Sequence, residues 1–168
     1  VMKKQVLSES YQGEIKRHDV KKYIPDTDFV VEVIERHVEK SKVNIKGSPI
    51  IVAGGYGMGS KENFKMLFEL ADVLKAEVGA SRAAVDAGFC EHDRQIGQTG
   101  VTVRPKLYIA CGISGQIQHI AGMQESSMVI SINSDPAAPI NSIADYVIVG
   151  SVEEVIPKLI KYYKQNSK

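Results

Sequence analysis

The sequence predicts an α/β domain built on a doubly wound, mostly parallel sheet. Short apolar segments alternate along the chain with segments that carry apolar residues at helical spacing, which is the pattern of such sheets. The first apolar segment leads directly into a glycine-rich loop, and later ones end on small or polar residues. Because ligands bind beyond the carboxyl ends of parallel strands, we expect the functional residues to lie at these strand ends.

The first strand, loop and helix form the opening of a nucleotide-binding unit. An apolar run at 50–53 is followed by a glycine loop at 54–60 and by helical periodicity over 62–76. The loop is not a Walker A motif, because Ser60 precedes Lys61, and its glycines are one residue short of the dinucleotide fingerprint. These departures disfavour kinases, NTPases and simple NAD dehydrogenases. A tight packing turn without ligand contact is the alternative.

The stretch at 78–119 carries the most informative residues. Its opening, Gly79-Ala80-Ser81-Arg82, predicts a strand-to-helix turn with Ser81 as the helix N-cap. Arg82 then lies in the first helical turn, where a cation is unfavourable unless an anion lies in front of it. This position predicts a binding site for an anionic group, and a solvated surface arginine is the alternative.

A second loop in this stretch places Gln98 and Thr99 between two glycines, with Ile96 and Val101 on either side. Glycine lets a backbone approach a ligand closely, so polar side chains held between glycines suit a planar ligand. An ordinary tight turn is the alternative for this loop.

Further strands are predicted at 107–111, 128–133 and 146–149, with helices at 116–123 and 152–165. The alternation predicts a Rossmann-like sheet whose strand ends form one site. The residues that we place at the carboxyl ends of the strands are Tyr56, Ser81, Arg82, Ser114, Asn133 and Asp145.

Each later candidate also has a structural interpretation. Asn133 and Asp135 before a proline suit a simple Asx turn. Asp145 suits a cap or the start of a turn as well as a ribose hydroxyl. His119, on a helix in apolar company, is more often a satisfied core histidine than a ligand.

Composition and charge exclude several classes of protein. The chain has 168 residues, 43% of them hydrophobic and 24% charged, with a net charge of +1, so nothing indicates disorder, nucleic-acid binding or an anionic membrane partner. No apolar run is long enough for a membrane helix. Cys90 and Cys111 are predicted to be free thiols, and the scattered histidines predict no metal site.

The first 48 residues are less regular. The segment at 6–23 predicts two short strands around Gly13, and the valines and isoleucine at 29–38 favour another strand. A turn is predicted at 44–48. We therefore expect a short N-terminal β extension ahead of the main domain.

Five segments together resemble one known family. GASRAAVDAG, QIGQTG, GISGQIQHIAGM, INSDPAAPI and ADYVIVG, in this order, resemble the FAD-binding C-terminal domain of the electron transfer flavoprotein α subunit, which has a Rossmann-like, DHS-like NAD/FAD-binding fold. The resemblance runs from about Pro49 to the C-terminus. It implies an FAD-binding domain at 49–168, preceded at 1–48 by a linker with short strands, the tail of an N-terminal domain that we expect to be missing.

The resemblance also implies roles for individual residues around FAD. Ser81 and Arg82 match positions near the pyrophosphate and the flavin ring, and the Thr99 hydroxyl matches the group that reaches flavin N5. The other implied contacts are Ile96, Gly97 and Gln98 beside Thr99; Ser114, Gly115, Gln116, Ile117 and Gln118 along the ribityl and phosphate groups; His119 at flavin O2; and Asn133, Asp145 and Tyr146 at the adenosine end. Tyr56 departs from the family, which usually has arginine at this position of the glycine loop.

The function that the resemblance implies is electron transport. Such a subunit forms a heterodimer with a β subunit and carries electrons from acyl-CoA-type dehydrogenases through a flavin semiquinone, in the cytoplasm or, in a eukaryote, the mitochondrial matrix. The electron carrier is therefore not itself expected to be an enzyme. Three alternatives remain: the α subunit of a flavin-bifurcating complex, an NAD(P)- or flavin-dependent oxidoreductase domain, and a module that binds a nucleotide only for structure.

Overall fold

The computed structural model describes residues 13–19, 22–23, 34–35 and 43–166. The chain divides into two compact units, Val1–Glu39 and Lys40–Lys168. The second unit contains the sheet and all of the features discussed below. Residues 13–19 form no strand, so the predicted β extension is wrong there, and most of the rest of it, including nearly all of 29–38, lies outside the described residues.

The sheet has five parallel strands in the order β2-β1-β3-β4-β5. The strands are β1 (Ile50–Gly54), β2 (Glu77–Ala80), β3 (Leu107–Cys111), β4 (Val129–Asn133) and β5 (Tyr146–Val149). The chain moves outward from β1 in one direction to β2 and then in the other to β3. This reversal is the topological switch point at which open α/β sheets bind ligands, so the predicted doubly wound fold is confirmed.

Within the described ranges, four α-helices accompany the sheet: α1 (Lys61–Leu74), α2 (Arg82–Asp86), α3 (Ile117–Ile120) and α4 (Val152–Asn166). The Ser60 hydroxyl caps α1 by accepting from the Asn63 N–H at 3.1 Å, and α1 ends where Lys75 takes the left-handed conformation at φ 54°. The predicted N-cap of α2 is confirmed, because the Ser81 hydroxyl accepts from the Ala84 N–H at 3.3 Å.

The two faces of the sheet are covered differently. One face is packed by α1, α2 and α4, through side chains such as Phe64, Leu67 and Ile156. The other is packed mainly by loops and short helical turns, through Ile96 and Met123 among others. Long loops therefore lie directly on the sheet, and their conformations depend on tertiary contacts rather than on helical hydrogen bonds.

Two local predictions need correction. The helix predicted at 116–123 ends at Ile120, and the chain continues as turns, in which the Gly122 carbonyl accepts from the Val103 N–H at 2.8 Å. The turn predicted at 44–48 is a 3-10 helix at Ile45–Gly47, whose Ile45 is buried in the core. The compact unit therefore includes residues ahead of Pro49. None of the helices in the described ranges is both long and apolar enough to cross a membrane.

Candidate functional site

A cavity of about 340 Å³ opens where loops after β2 and β3 meet the loop at 96–99. This volume lies within the range of about 300–1,000 Å³ that is usual for small-molecule sites. Its walls combine apolar side chains with hydroxyl, amide and guanidinium groups. The lining residues are Ser81, Arg82, Ala83, Asp86, Ile96, Gly97, Gln98, Thr99, Ile113, Ser114, Gly115, Gln116, Gln118 and His119.

The start of α2 supplies the cation of this site. Arg82 is 69% exposed, and among the described residues it pairs only with Asp86, at 3.4 Å between Nε and Oδ2. An exposed pair with the cation on the N-terminal side of the acid is the weaker of the two helical orientations. The guanidinium is therefore held loosely and can turn towards an anion in the cavity. Its partner Asp86, which the sequence did not single out, also lines the cavity.

The loop at 96–99 is held on the turns around α3 by backbone contacts. The Gln98 N–H donates to the Gln118 carbonyl at 2.8 Å, and the Ile96 N–H donates to Ala80 at 2.9 Å. Gly97 has φ 142°, which favours glycine. A methyl group on Gly122 would clash with the backbone of Gly97, so only glycine at position 122 allows these two chain segments to approach so closely. The loop is consequently a rigid wall of the cavity.

Thr99 is exposed at this wall, and its hydroxyl has a partner behind it. The side-chain amide of Gln95 donates from Nε2 to Thr99 Oγ1 at 2.9 Å. Gln95 is only 3% exposed and was not among the sequence candidates. The only sequence signal for it is a glutamine placed four residues before a threonine in a tight loop.

His119 is a neutral, fully bonded side chain. Its Nδ1 lies 3.1 Å from the Ile96 carbonyl, which can only accept, so Nδ1 carries the proton. Its Nε2 lies 2.9 Å from the Tyr108 hydroxyl. Burial lowers the pKa of His119 from its usual 6.5 to about 4, against an opposing contribution from the bond to Ile96.

The role that the resemblance implied for His119 therefore does not fit this geometry. A donor to flavin O2 needs a ring N–H directed into the cavity, and the N–H of the neutral ring is used by Ile96. The interpretation as a satisfied core histidine describes its bonding better. His119 lines the cavity, and its bonds to the Ile96 carbonyl and to Tyr108 of β3 hold the loop at 96–99 against the sheet.

The turn after β3 forms the opposite wall. Gly115 has φ 88°, and a side chain there would clash with the backbone of Ile140, so glycine is required. The Ser114 carbonyl accepts from the Ile140 N–H at 3.0 Å. Ser114, Gln116 and Gln118 are exposed at the cavity, whereas Ile117 is 75% exposed and is not part of its lining.

Asn133 lies at the carboxyl end of β4 but faces inward. Its Nδ2 donates to the Ile113 carbonyl at 2.8 Å, and its Oδ1 accepts from the Asp135 N–H at 3.0 Å. The Asx-turn interpretation is thus confirmed, and the side chain supports the turn that follows β3. It is not part of the cavity lining.

Asp145 and Tyr146 lie at the wrong end of the sheet for the predicted site. Asp145 comes just before β5, and its Oδ2 accepts from the Val129 N–H at the start of β4, at 2.8 Å. Its placement at the carboxyl ends of the strands is therefore wrong, by the length of β5, which at four residues is about 13 Å. The group at the carboxyl end of β5, beside Asn133, is Gly150-Ser151, whose glycine N–H donates to the Asn133 carbonyl at 2.9 Å.

The glycine loop after β1 is a packing turn. A side chain on Gly55 or Gly57 would meet the backbone of Gly112, and the Gly57 N–H donates to the Gly112 carbonyl at 2.9 Å. Tyr56 is 65% exposed and stacks on Phe89, with ring centroids 5.9 Å apart. It is not among the residues that line the cavity, and contact between this loop and a ligand stays a prediction.

The donor set of the cavity fits FAD. Ile96 and Ile113 provide apolar surface for a planar ring, Thr99 and Ser81 provide hydroxyls, and Arg82 provides a cation. Comparison with known families agrees: the electron transfer flavoprotein FAD-binding domain matches residues 44–124. Residues 44–124 belong to that family. The cofactor of this electron transfer flavoprotein domain is accordingly FAD.

Individual relatives support the assignment over a wider part of the chain. The chain is 48% identical over 166 residues to the electron transfer flavoprotein subunit alpha of Thermoanaerobacterium thermosaccharolyticum, covering 98% of this chain and 50% of that protein. It is 57% identical over 136 residues to protein FixB of Clostridium saccharobutylicum (81% and 40%), and 56% identical over 135 residues to the subunit alpha of Bacillus subtilis (79% and 42%). The chain thus spans half or less of the length of these relatives.

Proposed function

We propose that this domain is the FAD-holding part of an electron carrier, with the flavin ring against the loop at 96–99 and the phosphates towards Arg82 and the turn after β3. The observation that carries the proposal is the cavity itself, which collects most of the residues implied by the resemblance to the family. Bound FAD would supply the redox chemistry, and the chain would bind, orient and partly shield it. Within this arrangement we place the Thr99 hydroxyl at flavin N5.

The side chains around the cavity favour a carrier over a hydride-transferring oxidoreductase. His119 is neutral and has both ring nitrogens bonded, so it is not poised to exchange a proton with a substrate. Cys111, at the end of β3, is fully buried and does not line the cavity; burial raises the pKa of its thiol to about 12, so it remains protonated and non-nucleophilic at neutral pH. An electron carrier needs no acid, base or nucleophile.

The proposed partners follow from the same role. We propose that the domain works with a β subunit, which closes the flavin site, and receives electrons from an acyl-CoA dehydrogenase or a similar flavoenzyme. A cytoplasmic location stays a prediction. These proposals concern a whole protein, because this chain matches only 40–50% of the length of these relatives.

Binding of FAD is the direct test of the proposed function. The chain, alone and with a co-expressed β subunit, is titrated with FAD, FMN and riboflavin, and binding is followed by flavin absorption and fluorescence. We expect FAD to bind most tightly, because we place an adenosine site along the carboxyl ends of the strands, beyond the flavin. Equal affinity for FMN would contradict an adenosine site, and no flavin binding in either form would overturn the proposed function.

Replacement of Arg82 by alanine should weaken FAD binding without affecting the fold. Loss of one partly exposed cation near the phosphates is worth about 1 kcal/mol, or roughly fivefold in affinity. Arg82→Lys should restore part of the lost affinity, since lysine keeps the positive charge but not the planar guanidinium. The measurement is FAD titration with and without added salt.

Arg104 provides a matched control for this substitution. It is 68% exposed, pairs with Glu125 at 2.7 Å and is not part of the cavity lining. Arg104→Ala should leave FAD affinity unchanged. Equal losses in the two variants would mean that Arg82 acts only through the net charge of the domain.

A further inference from the structure

Gln95 is a buried polar side chain that touches the cavity only through another residue. It is 3% exposed, and its amide Nε2 donates to Thr99 Oγ1 at 2.9 Å. Its backbone is fixed on both sides, because its N–H donates to the His92 carbonyl at 3.0 Å and its carbonyl accepts from the Val101 N–H at 2.8 Å. The amide therefore approaches the hydroxyl from a fixed position behind the loop.

This contact determines what the Thr99 hydroxyl can offer to a ligand. A hydroxyl has one hydrogen to donate and two lone pairs that accept. When the Gln95 amide occupies a lone pair, the hydroxyl hydrogen remains available, and Thr99 is exposed at the cavity. If an oxygen of residue 95 faced Thr99 instead, the hydroxyl would donate to it and present only lone pairs to the cavity.

Gln95 and Thr99 also line a second crevice behind the loop, together with Asn44, Lys46, His92 and Asp93. This crevice carries side chains that donate as well as side chains that accept. It can therefore accommodate the amide oxygen of Gln95 while the NH2 group faces Thr99, as the structure has it.

We propose that Gln95 is a positioning residue that holds the Thr99 hydroxyl as a hydrogen-bond donor to FAD. The inference rests on the proposed function, in which the flavin ring lies against the loop at 96–99. An acceptor atom of the oxidised ring would then accept a hydrogen bond from the Thr99 hydroxyl. Because this acceptor changes its charge and protonation on reduction, the contact also influences the reduction potential.

Reversing the polarity of residue 95 tests the proposal. Gln95→Glu keeps the shape, but its carboxylate can only accept, so it should draw the Thr99 hydrogen away from the ligand. We expect FAD affinity to fall roughly threefold to tenfold, the range for one hydrogen bond, and the reduction potential to shift. The loss should grow as pH rises and the new carboxyl ionises. Gln95→Met, of similar size and unable to bond in either sense, should lose less and show no such pH dependence.

A second pair of variants separates positioning from a structural role. In the Thr99→Val background there is no hydroxyl to orient, so adding Gln95→Glu should cause no further change in FAD affinity or potential. An effect of the same size in both backgrounds would overturn the proposal, as would a Gln95→Glu protein with unchanged affinity and potential. A parent chain that binds no FAD would instead overturn the proposed function, and this inference with it. If Gln95→Glu fails to fold, Gln95→Met is introduced into the parent chain and into Thr99→Val instead. Equal losses of FAD affinity in these two backgrounds would overturn the proposal.

Discussion

Replacement of Gly122 by alanine is expected to destabilise the domain by about 2–3 kcal/mol and to weaken FAD binding strongly. The added methyl group would clash with the backbone nitrogen of Gly97, and neither chain segment can move freely. Overpacking typically costs about 1–3 kcal/mol, and a clash with backbone atoms as close as this one belongs at the upper end of that range. The loop at 96–99 would have to lift from the turn after α3, which would displace the wall that carries Thr99. Urea unfolding and FAD titration measure the two effects.

Gly47→Ala is the control for this substitution. Its methyl group would meet only the Asn44 side chain, at 3.2 Å, and that side chain can move. Its stability and FAD affinity should stay close to those of the parent chain. If Gly122→Ala were as stable as Gly47→Ala and bound FAD normally, the loop would not depend on its contact with Gly122.

The stability of the domain is expected to fall by up to about 3 kcal/mol as pH decreases from 6.5 to 4. Burial lowers the pKa of folded His119 to about 4, whereas the unfolded chain binds the proton at the usual 6.5. The folded state therefore prefers the neutral ring, and its advantage is complete above pH 6.5 and lost as pH falls through this window. Each tenfold change in proton affinity is worth about 1.4 kcal/mol, which gives the magnitude.

Comparison of two histidine variants isolates this effect from the titration of carboxylates. His119→Gln removes the buried ring, so its free energy of unfolding should be lower at neutral pH and should change less between pH 6.5 and 4. His92 is exposed, and His92→Gln should reproduce the pH profile of the parent chain. The profile is obtained from urea unfolding at several pH values. A His119→Gln protein with the parent's full pH dependence would contradict the assignment.

Much of the architecture could be predicted because it depends on local patterns. Strands at 107–111 and 146–149 were predicted with their observed bounds, and Ser81 was recognised as an N-cap from its own neighbourhood. An apolar run of strand length and a hydroxyl before a helix have the same meaning in most folds. The loops with Arg82 and Thr99 were also predicted to form the site, since glycine and polar residues at strand ends are typical of binding sites in parallel sheets.

Which atoms face the cavity was decided only by the tertiary structure. Asp145 was placed at the ligand edge because it adjoins a strand, but it lies at the other end of that strand and bonds to Val129. Asn133 and His119 lie beside the site, yet their polar atoms are used by Ile113, Asp135, Ile96 and Tyr108. Residue type shows what a side chain can bond to, whereas its partner depends on chain segments up to 23 residues away.

The sequence by itself thus determined the order of the strands and helices, the loops that form the site and, through resemblance to a family, the cofactor. The tertiary structure decided the direction of each polar group within those loops. Gln95 shows the physical reason: its importance arises from a hydrogen bond to Thr99 that only the folded loop brings to 2.9 Å. Propensity and periodicity are properties of short segments, but the satisfaction of buried polar groups is a property of the packed domain.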